Sequence, residues 1–116
     1  MINRAAILLR YKEPAIRWIN EADPADDDPG ITAAEVNCER TVYLISDLDG
    51  DTQQSVDRWI KHNYQELFET ELEDWYTDPS LWPEKRTLKL FRQWFSVECH
   101  TVVIDTVEDS IIEDDI

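Results

Sequence analysis

The sequence predicts a two-layer α+β domain, with one face of a small sheet lying under helices. Three observations point there. Apolar runs of strand length recur near 3–10, 41–46 and 97–105. Segments with helical spacing fall between them, near 14–21, 52–76 and 84–95, and account for about half the chain. Finally, 116 residues suffice for one hydrophobic core and are too few for two domains of ordinary size. No internal repeat or linker divides residues 1–116.

The elements follow in order. "INRAAILLR" is a short run of small and branched apolar residues ending before Lys12-Glu13-Pro14, which predicts a buried first strand. Pro14 suits the first turn of a helix whose inward stripe is Ala15, Ile16, Trp18 and Ile19. Two prolines, a glycine and four aspartates in "ADPADDDPG" predict an acidic solvated loop near 22–30, since a packed element would bury unpaired charge. Thr32 and Glu35 have the spacing of a capping box, predicting one helical turn. "RTVYLIS" is expected to be a strand covered on both faces.

From Thr52 to Tyr76, apolar residues at Val56, Ile60, Tyr64, Leu67, Phe68, Leu72 and Trp75 step by three and four, predicting a long amphipathic helix. "TDPSLWP" interrupts it, with Asp78 as a cap and Pro83 as the start of a further helix burying Leu88, Phe91 and Phe95. "VECHTVVID" returns to strand character. An acidic tail near 108–116 is expected to fray.

Charge narrows the function classes. Twenty-six acidic against 11 basic residues give −15, so direct nucleic-acid binding and attraction to anionic membranes are disfavoured, and basic proteins or cations are favoured. No run approaches the roughly 18 apolar residues needed to span a bilayer, and "MINRAAILLRYKEP" lacks a cleavage site, so a cytoplasmic protein is expected. Cys38 and Cys99 lack CxxC spacing and are expected as free thiols. His62 and His100 lack the spacing of metal ligands, and no nucleophile has a base beside it.

"YLISDLDGDT" places Asp47, Asp49 and Asp51 at alternate positions after an apolar strand. "YLISDLDG" resembles the first motif of the haloacid-dehalogenase-type phosphatases. That resemblance implies Asp47 as nucleophile, Asp49 as acid and base, Mg²⁺, and Asp105 and Asp109 of "VVIDTVED" as metal partners. It also implies a doubly wound parallel sheet, for which the chain offers too few strands. Asp51 stands where the family has Thr or Val. The three aspartates also resemble half a calcium loop, but its Gly position is Thr52 and its Glu position is Arg58. A simpler reading needs no metal: Gly50 turns the chain, Asp51 or Thr52 caps the long helix, and the other carboxylates complement its positive end. Adventitious binding of Mg²⁺ or Ca²⁺ at Asp47, Asp49 and Asp51 is the cofactor expectation that remains.

Lys85, Arg86, Lys89 and Arg92 gather basic charge in one short segment, while residues 62–84 carry seven carboxylates and no Lys or Arg. Opposite charges on adjacent helices are expected to pair, each exposed pair contributing at most about 1 kcal/mol. Trp82, between the two helices, is the tryptophan expected outside the core. Together, Trp82, Lys85, Arg86, Lys89, Arg92, Glu66, Glu69 and Glu73 form the expected partner-binding set, because Trp and Arg favour interfaces.

The run "WYTDPSLWPEKRTLKLFRQWF" resembles small acidic bacterial proteins to which no activity is attached, and it implies no site. The leading expectation is a non-enzymatic cytoplasmic interaction or regulatory protein that engages a basic protein or a second copy of itself. The alternatives are a metal-dependent phosphoryl-transfer enzyme using Asp47 and Asp49, and a nucleic-acid mimic whose helix carboxylates occupy a basic groove.

Overall fold

The computed structural model describes residues 1–23 and 30–114. Strand β1 (Arg4–Tyr11) is the middle of a three-stranded antiparallel sheet, flanked by β2 (Val42–Ser46) and β3 (Phe95–His100). Its period-two pattern explains that position: Ala5, Ile7, Leu9 and Tyr11 are buried together on the inner face. Ile7 stands opposite Tyr43 on one side and Cys99 on the other, so those residues share that face.

Helices α1 (Glu13–Glu21), α2 (Ala33–Val36), α3 (Gln53–Trp75) and α4 (Leu88–Trp94) supply the second layer, with a short 3-10 turn at Pro79–Leu81. Pro14 lies in the first turn of α1, and Thr32 and Glu35 form the anticipated capping box on α2. The core is aromatic at its centre. Phe68 of α3 packs edge-on against Trp94 and Phe95 with ring centroids 5.4 and 5.6 Å apart, and Phe91 joins the cluster at 5.7 Å from Phe68. Such contacts contribute about 0.5–1.5 kcal/mol per pair beyond the area buried.

The α+β class and the two-layer arrangement stand as the sequence predicted. Three local expectations are corrected. The last helix begins at Leu88 and not near 84, because the Thr87 hydroxyl accepts from the Leu90 amide and sets the cap there. The last strand spans Phe95–His100 and not 97–105. Its ladder to β1 ends at the Ala6–His100 pair, and beyond it the Ile2 amide donates to the Val103 carbonyl at 2.8 Å. Finally, β2 is covered on one face only: Ile45 is buried, whereas Val42 and Leu44 are 53% and 49% exposed.

The sheet differs from the doubly wound parallel one that the phosphatase resemblance implies. Most of the acidic loop expected near 22–30, and the last two residues of the acidic tail, lie outside the described residues. Among those described, no helix is long and apolar enough to cross a membrane. Cys38 and Cys99 are free thiols, and burial pushes the Cys99 thiol up from its ordinary pKa.

Candidate functional site

The least expected side chain is Glu71, an acidic residue in the buried stripe of α3. It is only 4% exposed. Its neighbours by helical spacing are Leu67, Phe68, Leu72 and Trp75, so the helix carries the carboxylate to the inner face of the sheet. There, the Tyr11 hydroxyl of β1 donates to Oε1 at 2.9 Å, and the Tyr43 hydroxyl of β2 donates to Oε2. Tyr11 in turn accepts from the Trp75 indole at 2.9 Å, closing a chain of four polar groups from α3 to two strands.

Burial dominates the electrostatics. It holds the Glu71 carboxyl above its ordinary pKa, opposed by the hydrogen bonds from Tyr43 and Tyr11 and reinforced by the nearby charge of Asp74. Both phenols are also raised, mainly by burial and then by Glu71. Tyr11, Glu71 and Trp75 line an open cleft of about 670 Å³ whose rim carries Glu35, Glu39 and Asp74. Its volume lies in the range of small-molecule sites.

No cation answers these carboxylates among the described residues. The arginine ion pairs there join Arg40 to Glu98 at 3.0 Å, Arg86 to Glu69 at 3.4 Å and Arg92 to Asp57 at 3.7 Å, and His100 approaches Glu98 at 4.0 Å. Arg40 also lines the cleft but turns its guanidinium to Glu98. That contact has ion-pair distance without hydrogen-bond geometry at Nη1, which is buried and otherwise unpartnered. An aromatic wall beside uncompensated carboxylates can hold an organic cation, such as an amine or guanidinium, through cation–π and charge-assisted contacts.

The aspartates of "SDLDGDT" lie in the turn between β2 and α3. The Ser46 hydroxyl donates to Asp49 Oδ2 at 2.9 Å and accepts from the Asp49 amide at 3.1 Å. Thr52 is the cap of α3: its hydroxyl accepts from the Ser55 amide, and Ser55 Oγ accepts from the Thr52 amide. Asp47, Asp49 and Asp51 do not converge, for among the described residues no three His, Cys, Asp or Glu side chains are grouped to hold a metal ion.

The expected partner-binding set is divided. Trp82 is half-buried, its indole donates to the Tyr76 carbonyl at 2.7 Å, and the Arg86 guanidinium lies 5.8 Å from its ring centre. Arg86 and Arg92 reach across to Glu69 and Asp57 of α3. Lys85 precedes α4 and so lies off the helix that carries Lys89 and Arg92; both lysines are exposed. Glu66 lines a second groove, of about 390 Å³, between α3 and the free edge of β2, and Glu73 is exposed.

Sequence reasoning passed over Glu71, Tyr11 and Tyr43. The signal was present for Glu71: it lies four residues after Leu67 and four before Trp75, on the stripe that defined the helix. No family model, curated protein or solved structure matches this chain.

Proposed function

We propose that this is a non-enzymatic cytoplasmic interaction protein, and that it takes a basic side chain of a protein partner into the cleft beside Glu71. One observation carries the reading: an open cleft walled by Tyr11 and Trp75 gathers Glu35, Glu39, Glu71 and Asp74, and the one cation among its described lining residues, Arg40, is paired with Glu98 instead of with any of them. The net charge of −15 adds long-range attraction for a basic partner. An arginine seated there would stack on an aromatic ring and offer planar donors to the carboxylates.

The test uses N-acetyl-arginine amide against its uncharged isostere N-acetyl-citrulline amide, followed through the indole N–H resonance of Trp75. The arginine probe should shift that resonance saturably, the citrulline probe should not, and Glu71→Gln with Asp74→Asn should remove the response. Equal shifts with both probes, or none, would overturn the reading.

A further inference from the structure

The outer face of the sheet differs in character from the rest of the molecule. Alternation along β1 turns Arg4, Ala6, Leu8 and Arg10 away from the helices, and pairing places Val42 and Leu44 beside Leu8 and Ala6. Exposed apolar surface on this face lies at Val42 and Leu44 of β2, with the half-buried Leu8 of β1 beside Val42, while Ala6 is buried. Arg4, Arg10 and Arg40 surround it, against a single carboxylate, Glu98, from β3. In a chain of net charge −15, this is an apolar patch with a basic rim.

The segment 105–114 has the opposite charge and the same apolar character. It carries Asp105, Glu108, Asp109, Glu113 and Asp114 with no base, interleaved with Val107, Ile111 and Ile112. Those three side chains are uncovered, Ile111 and Ile112 at 73% and 78% exposure. After Val103 the tail leaves the end of the sheet, and residues 104–114 are exposed and belong to no helix or strand. To reach its own outer face the tail would have to reverse direction. A second molecule has no such constraint, and eleven residues beyond Val103 extend roughly 35 Å, enough to cross a three-stranded sheet. Direct stacking of two outer faces would instead oppose arginine rims to each other.

We propose that residues 105–114 of one copy dock on the outer sheet face of a second copy, with Val107, Ile111 and Ile112 on Leu8, Val42 and Leu44 and the acidic residues against Arg4, Arg10 and Arg40. The docking surface shares Arg40 with the cleft at Glu71, whose other residues it does not use.

Sedimentation equilibrium of the full chain tests it, with a tail variant (Ile111→Asp, Ile112→Asp) and a face variant (Leu44→Asp, Arg10→Glu). All four substitutions alter exposed side chains, and circular dichroism confirms that each variant folds. The wild type should dimerise, more weakly as salt rises. Each variant alone should associate at least about tenfold more weakly, a loss of roughly 1.4 kcal/mol. An equimolar mixture of the two should recover part of the association, because one intact tail then meets one intact face. A monomeric wild type overturns the proposal and leaves the tail solvated or folded on its own chain. A tail variant that dimerises like the wild type overturns it in favour of another interface.

Discussion

The Tyr11 hydroxyl donates to Glu71 Oε1 at 2.9 Å, joining the last residue of β1 to the inner face of α3 across 60 positions of sequence. With Tyr43 on the other carboxylate oxygen, the helix is registered against two neighbouring strands at once. Apolar packing alone would tolerate sliding of α3 along the sheet; a buried acceptor that must find two donors does not. The same carboxylate borders the cleft, so one residue links the fold to the site.

Glu71 should make stability depend on pH with a definite sign. A carboxyl whose folded pKa lies above its unfolded value binds its proton more tightly in the folded chain. Its contribution is full below the unfolded pKa and is lost as pH rises through the folded one. Relative to Glu71→Gln, the wild type should therefore lose stability as pH rises above the ordinary value of 4.5. Urea midpoints of both chains, taken across that window, isolate the effect because the other carboxylates cancel in the difference. A wild type that gains on the variant would show that the hydrogen bonds outweigh burial.

The two tyrosines should not be equivalent. Tyr11→Phe removes a donor to Glu71 and the acceptor for the Trp75 indole, whereas Tyr43→Phe removes one donor only. At about 1 kcal/mol per net hydrogen bond, Tyr11→Phe should cost about 2 kcal/mol and Tyr43→Phe about 1. Denaturant unfolding gives both numbers. The Trp75 emission should shift for Tyr11→Phe and stay in place for Tyr43→Phe.

Local signals in the chain were legible, and long-range ones were not. The capping box at Thr32, the turn proline of α1 and the three-four spacing of α3 are each complete within a few residues, and each stands in the structure. The start of α4 was misplaced because Pro83 and Thr87 are both good helix-start residues, and nothing local decides between them. Strand β2 looked covered on both faces because Val42, Leu44 and Ile45 are equally apolar, and only its place at the sheet edge leaves the outer face open. The site is the hardest case. Tyr11, Tyr43 and Glu71 are far apart in sequence, and each is unremarked until the sheet order brings the two phenols to one carboxylate.

The turn after β2 offers a direct comparison of capping with metal chemistry. Thr52 accepts from the Ser55 amide and receives the reciprocal bond from Ser55 Oγ, so Thr52→Ala should lower stability by about 1 kcal/mol. Asp47 lies in the same turn without that role, and Asp47→Asn should stay within about 0.5 kcal/mol of the wild type. Thermal unfolding with and without Mg²⁺ checks both. A rise in Tm with Mg²⁺ that Asp47→Asn abolishes would restore the metal-dependent reading of these aspartates.

Gly50 is required for a different reason from the usual one. Its backbone is not in the left-handed region, for Gly30 is the only described glycine with positive φ. What constrains it is proximity: a Cβ at Gly50 would lie 2.3 Å from the Cβ of Ala5, where the turn passes under β1. The Cys99 thiol closes the other side, 3.8 Å from the Gly50 carbonyl oxygen. Neither neighbour is the end of a flexible chain that could swing away, so Gly50→Ala should push the turn off the sheet and cost about 1–3 kcal/mol. Ala5→Gly removes the opposing methyl at a cost of about 1 kcal/mol in strand entropy and packing. If steric contact is the cause, the Ala5→Gly, Gly50→Ala double variant should be more stable than the sum of its single losses predicts, by about 1 kcal/mol or more. Additive losses in chemical denaturation would show that Gly50 is needed for its own conformation and not for the room it leaves Ala5.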